Sequence, residues 1–190
     1  MSNPAPRPAL RERVATAIVD AAAGVLADRG DQASMSDVAA AAGVARATVY
    51  RYFPNREALL EALGRLALED IGDRLAAARL DEVAVDDGLE RAVRALVTVG
   101  DGFVVVARDR GRPANAAFDE RIALPVRDLL ARGQREGEIR KDVPAAWLAE
   151  ALFGLVVNVI GSGPRLGTED TIASIAGVFL DGARDGTAAG

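Results

Sequence analysis

The chain has 190 residues, half of them hydrophobic, with 23 lysines plus arginines against 28 aspartates plus glutamates, a net charge of -5. That is enough apolar material for a core in one large domain or two small ones. Histidine and cysteine are absent, which excludes disulfides, zinc sites of the usual nitrogen and sulfur ligands, and Ser-His-Asp or Cys-His nucleophiles, while the acidic balance means that any polyanion contact must be local.

Three prolines, Pro4, Pro6 and Pro8, open the chain, so residues 1–9 are expected to form a flexible arm, as are residues 186–190 at the other end. No apolar signal-peptide stretch follows, and a cytoplasmic location is expected. Helical periodicity then begins. Val14, Ala17, Ile18, Ala21 and Val25 mark one buried face, ended at Gly30. The same spacing recurs in Leu59, Leu63, Leu66 and Ile71, in Val93, Leu96, Val97, Gly100 and Val104, in Ile122, Val126, Leu129, Leu130 and Gly133, and in Ile172, Ile175, Ala176, Phe179 and Ala183. Breaks are expected at Gly30-Asp31, Gly43, Pro54-Asn55, Asp86-Asp87, Gly111 to Pro113, Gly137 and Gly161 to Pro164, where glycine or proline starts or stops helices. Strand alternation is nowhere sustained. The reading is an all-α fold of about nine helices. Ala145 to Ile160 is strongly apolar but holds Glu150 and falls short of the ~20 residues that span a bilayer, so no membrane partner is expected. Residues 1–65 carry eight basic and seven acidic side chains, whereas residues 66–190 carry 15 and 21; the two parts are expected to face different partners.

Residues 34–53 read as two short helices and a tight turn. Ser34 is an N-cap, with Asp37 where its charge favours the positive end of the helix dipole. Val38, Ala39 and Ala42 form a small-residue inner face, Gly43 takes the left-handed conformation, and Ala39 with Gly43 admits a close neighbour. Val44 is a plug, and Ala45, Val49 and Phe53 point inward on the second helix. Arg46, Ala47, Tyr50 and Arg51 are left facing out, flanked by Thr48 and Tyr52. This basic and aromatic surface fits a recognition helix in a major groove, where arginine reaches guanine O6 and N7, and threonine or alanine touches a thymine methyl. Tyr50 and Tyr52 can donate to phosphate oxygens, as can the backbone N–H groups after Ser34, beginning with Met35. Asn55 caps the next helix on the same side, and Arg56 stands beside a plausible phosphate.

The stretch from Ser34 to Leu60, with its turn glycine, Val49-Tyr50-x-x-Phe53 and Asn55-Arg56-Glu57-x-Leu59-Leu60 in register, resembles the signature of the tetracycline-repressor (TetR) family of bacterial transcriptional regulators. The resemblance runs from about Arg11 to Leu63. It implies an N-terminal three-helix DNA-binding domain over residues 10–56, a helical regulatory and dimerisation domain over 57–185, a homodimer on palindromic double-stranded DNA, and repression relieved by a small ligand. It further implies that Ser34, Tyr50, Tyr52 and Arg56 contact phosphates and that Arg46, Ala47 and Thr48 read bases. The chain departs from the family's common residues at Ala45 (serine), Ala47 (glycine), Tyr52 (histidine) and Arg56 (lysine), so the operator sequence does not follow.

In the second part, the apolar circumference of Ala145 to Ile160 suggests a two-fold interface with the last helix, formed by Leu152, Val156, Ile160, Ile172, Ile175 and Phe179. Phe103, Phe118, Trp147 and Phe153 are candidate linings of a pocket for a small, hydrophobic effector, with Asp101, Arg121 or Asn158 as polar anchors. No cofactor, metal or catalytic residue is expected. A ligand-independent helical DNA-binding or interaction protein is the alternative; a carboxylate-pair enzyme is disfavoured because the acidic residues fall on polar helical faces.

Overall fold

The structure, a computed structural model, describes residues 7–100, 102, 104, 116–163 and 166–184. Helices α1 (Arg7–Arg29), α2 (Met35–Ala41), α3 (Arg46–Tyr52) and α4 (Arg56–Ala78) are followed by α5 (Val85–Val97). Beyond it a single turn, Ala116–Phe118, runs through a π-helical turn, Asp119–Ala123, into α6 (Leu124–Glu136), and α7 (Ala145–Gly161) and α8 (Thr168–Ala183) complete the order. The described residues contain no strand, only an isolated antiparallel bridge between Ile139 and Arg184. The all-α expectation holds. Compact packing divides the chain into residues 1–66 and 67–190, inside α4 rather than at its start. Leu59 and Leu63 are buried outside the large cluster that takes in Ala67, Leu68, Ile71 and Leu75 of the same helix.

In the first unit, α1 begins with Pro8 in its opening turn, where a missing N–H removes no helical bond. Its buried face consists of Ile18, Val19, Ala22 and Leu26. The expected face of Val14, Ala17, Ile18, Ala21 and Val25 is therefore rotated by about one residue: Ala17 is exposed, and Val14, Ala21 and Val25 are half-buried. The larger Leu26 and Val19 gain more from leaving water than two alanines do, by roughly 0.8 kcal/mol per additional buried methylene.

In the second unit, α5 separates its faces cleanly, with Val85, Leu89, Ala92, Val93 and Leu96 buried and Asp86, Asp87, Glu90 and Arg91 exposed. The break expected at Asp86-Asp87 lies earlier. Arg79, at φ +48, ends α4, and the two aspartates occupy the first turn of α5, where the helix dipole favours them. Arg132 of α6 holds the connection by donating to the backbone carbonyls of Leu80, Asp81 and Val83 at 2.5–3.0 Å. The periodicity read through Gly100 to Val104 as one helix is also interrupted, because α5 stops at Val97 and Gly100 is left-handed at φ +59. Ahead of α6, Pro125 has no N–H to return to the carbonyl of Arg121, and the backbone widens so that the Leu124 N–H reaches back to Asp119.

α6 packs on α5 and α7, and α8 packs on α5. Among the described glycines the tightest surroundings are at Gly133, where an added Cβ would lie 2.6 Å from Ile139 Cγ1 and 3.0 Å from Val85 Cγ1. Gly133→Ala is expected to cost about 1–3 kcal/mol by overpacking, read as a lower urea midpoint; a midpoint equal to wild type would show that the three segments separate freely.

Candidate nucleic-acid interface

The helix-turn-helix is built from local chemistry. Ser34 Oγ donates to Asp37 Oδ2 at 2.6 Å and accepts from the Asp37 N–H at 3.2 Å, while the Ser34 N–H donates to the same carboxylate at 2.9 Å. This capping box fixes the start of α2. Hydrogen bonds from the Ser34 hydroxyl, and next from its backbone N–H, hold the Asp37 carboxyl below its ordinary range, with Arg29 adding its charge from 2.7 Å. At the other end Gly43 is left-handed at φ +66. Its N–H reaches the Ala40 carbonyl and that of Val44 reaches Ala39, the double bond of a Schellman turn. Space around Gly43 is open, so the glycine is there for its backbone angle and not for close approach.

α3 is held from beneath by Val49, fully buried, and Phe53. Ala45, expected to point inward with them, is exposed: it is the N-cap, in extended conformation, and its methyl caps nothing. Arg46, Ala47, Tyr50 and Arg51 are exposed, and Thr48 and Tyr52 half-buried, as the outward face requires. Arg46 donates to the Tyr50 hydroxyl at 3.3 Å, its guanidinium 5.3 Å from the ring centroid. Arg51 lies 5.4 Å from the ring of Tyr52.

Around this helix the remaining candidates divide. Ser34 is exposed, but its hydroxyl is engaged in the cap. The Met35 side chain is buried, leaving only its backbone N–H for a phosphate. Asn55 Oδ1 accepts from the Ala58 N–H at 2.8 Å, capping α4. Arg56 is half-buried and donates to the Gly30 carbonyl at 3.2 Å, tying the start of α4 back to the end of α1.

The pocket and dimer candidates fare differently. Phe118 and Phe153 are buried and meet edge-to-face at 5.7 Å, so they are core. Trp147 is 70 % exposed; Asn158 is exposed on the same helix, and Phe103 and Asp101 lie outside the described residues. Arg121 borders a groove of about 700 Å³ between α4 and α6 that also has Leu75, Leu80, Leu124 and Leu129 in its walls. The six residues expected at the dimer interface, Leu152, Val156, Ile160, Ile172, Ile175 and Phe179, are all buried within the single chain. α7 is apolar on more than one face, and the face with the larger side chains is taken by its own core. The opposite faces stay uncovered: Trp147, Ala151, Gly154 and Asn158 on α7, and Ser174 and Val178 on α8. Among the described residues there is no cluster of potential metal ligands and no helix long and apolar enough to cross a membrane.

A seven-residue helix that projects arginines and tyrosines from a capped helix–turn–helix defines a DNA-binding regulator. The sequence profile of bacterial regulatory proteins of the tetR family matches residues 18–63. The chain is 34% identical over 161 residues to the HTH-type transcriptional repressor LfrR of Mycolicibacterium smegmatis, covering 82% of each chain. It is 25% identical over 154 residues to the fatty acid metabolism regulator protein of Bacillus subtilis, covering 75% of this chain and 79% of that one. Among solved structures it resembles LfrR from Mycobacterium smegmatis in complex with proflavine, with a TM-score of 0.73 and 27% identity over 93% of this chain and 99% of that chain. The chain belongs to the tetR family of transcriptional regulators.

Ser34→Ala is expected to destabilise the chain by about 1 kcal/mol at pH 7 in urea unfolding. Because the Asp37 carboxyl sits below its unfolded value, its contribution is present above that value and fades as pH falls through the folded one. The stability gap between wild type and Asp37→Asn should therefore close in acid; a gap that persists below the carboxylate range would assign the cap to another group.

Proposed function

We propose that the chain is a homodimeric repressor of a palindromic operator, released by a small, hydrophobic effector. The observation that carries this reading is the outward set Arg46, Ala47, Tyr50 and Arg51 on a helix whose other face is anchored by Val49. Arg46, Ala47 and Thr48 are assigned to base edges and Tyr50, Tyr52 and the backbone at Ser34 and Met35 to phosphates. Asn55 sets the entry of α4, and Arg56 braces the domain from within.

The pairing of two copies is supported by the uncovered stripe of α7, where Trp147, Ala151, Gly154 and Asn158 recur at helical spacing, and by Val178, 65 % exposed on α8. Two such helix pairs brought together make a four-helix bundle on a two-fold axis. A pair of recognition helices ~34–36 Å apart then reads both halves of a palindrome. The effector is assigned to the second unit, where the groove beside Arg121 combines leucines with guanidinium groups; that the related LfrR was crystallised with proflavine supports a small aromatic molecule as the first probe. Release requires the effector to favour a DNA-incompetent arrangement, by about 5.5 kcal/mol to invert a 1:99 population.

Genomic fragments selected with the purified chain should contain an inverted repeat. On that repeat Arg46→Ala is expected to reduce discrimination against a single-base change by about 1–3 kcal/mol. Trp147→Glu combined with Val178→Glu should give monomers in sedimentation and weaken operator binding by about 10²-fold or more. Selection of fragments without symmetry, or a double variant that remains a dimer, would refute the respective assignment. An operator complex that no panel of hydrophobic compounds dissociates would favour the ligand-independent alternative.

A further inference from the structure

The guanidinium of Arg11, on α1, lies 5.9 Å from the centroid of Tyr52, and that of Arg51 lies 5.4 Å from the same ring. Two cations thus share one half-buried tyrosine at the end of α3, both inside the ~6 Å reach of a cation–π contact. Several other arginines are matched with carboxylates, Arg29 with Asp37, Arg74 with Asp70, Arg94 with Glu90 and Glu169, Arg121 with Asp73, Arg140 with Asp142 and Arg184 with Asp86, whereas Arg91 and Arg132 are held by backbone carbonyls; what sets Arg11 and Arg51 apart is the ring they share. Arg11 and Arg51 are exposed, and among the described residues neither has a carboxylate within salt-bridge distance. Like charges gathered on one ring in a chain of net charge -5, with acidic side chains in excess, are poorly arranged for stability and well arranged for an outside anion.

We propose that Arg11 is a phosphate-contacting residue, and that Arg11, Tyr52 and Arg51 form one patch that carries the duplex backbone contact from α3 onto α1. The ring of Tyr52 sets the direction of both guanidinium groups. Its hydroxyl and the guanidinium N–H donors then face consecutive phosphates of one strand, a contact that positions the domain without reading sequence. This rests on the DNA-binding reading above and adds to it an element outside the helix-turn-helix.

The test is the salt dependence of binding to a random-sequence duplex and to a selected fragment, measured for wild type, Arg11→Gln, Arg11→Lys and Arg13→Gln. Each phosphate contact contributes about 0.9 to the slope of log affinity against log salt. Arg11→Gln is expected to lower the slope by about 0.9 per bound chain on both duplexes, with the same base preference and an unchanged melting temperature; Arg11→Lys should restore the slope. Arg13→Gln makes the same change of charge two residues along, away from the ring, and should leave the slope near wild type. A wild-type slope in Arg11→Gln overturns the proposal, as does an equal fall in Arg13→Gln, which would mean general charge and no contact. Affinity lost only in step with melting temperature would reduce Arg11 to a prop for Tyr52 and also overturn it. A wild-type chain that binds neither duplex would instead bring down the DNA-binding reading, and this proposal with it.

Discussion

A helix of seven residues cannot hold itself together in water: nucleation fixes several dihedrals for a single hydrogen bond, and isolated helices become stable only beyond about 12–15 residues. α3 exists because Val49 and Phe53 are buried beneath it and because the chain enters from a Schellman turn at Gly43 whose backbone angle few other residues adopt. The outward face of α3 is held in place by that burial. Arg46, Ala47, Tyr50 and Arg51 are exposed, so burial does not dictate their identity.

That dependence explains which parts of the site were legible in the sequence. The caps at Ser34 and Asn55, the Ser34–Asp37 box and the left-handed turn at Gly43 are made by bonds between near neighbours in sequence, so type and spacing point to them, and the structure bears them out; the close approach expected at Gly43 is absent, since the space around it is open. Ala45 stands outside the inward face that the four-residue repeat of Val49 and Phe53 predicts for it, because it is the N-cap, where the backbone is extended and the helical period does not apply. Arg56 was legible as a cation near the end of a helix but not as the donor to the Gly30 carbonyl, because that partner is 26 residues away. Stacking of Arg11 on Tyr52 joins residues from two helices and has no local signal at all.

In the second unit the limit was of another kind. Periodicity identified the helices and most of their buried positions, including Ile122, Val126, Leu129 and Gly133 on α6. It could not say which apolar face would meet the chain's own core and which would be left over. On α7 both faces are apolar, and Leu152, Val156 and Ile160 went inward while Trp147 stayed out. Register separates them: Leu148, Leu152, Val156 and Ile160 recur every four residues on the inward stripe, and Trp147 lies one position off it, on the side of Ala151, Gly154 and Asn158.

The stretch from Ser34 to Arg56, proposed above to meet DNA, holds three arginines, no histidine and no lysine. Guanidinium stays protonated throughout the physiological range and is not the target of lysine acetylation. Lysine acylation therefore has no target on this surface, whose positive charge comes from arginine alone.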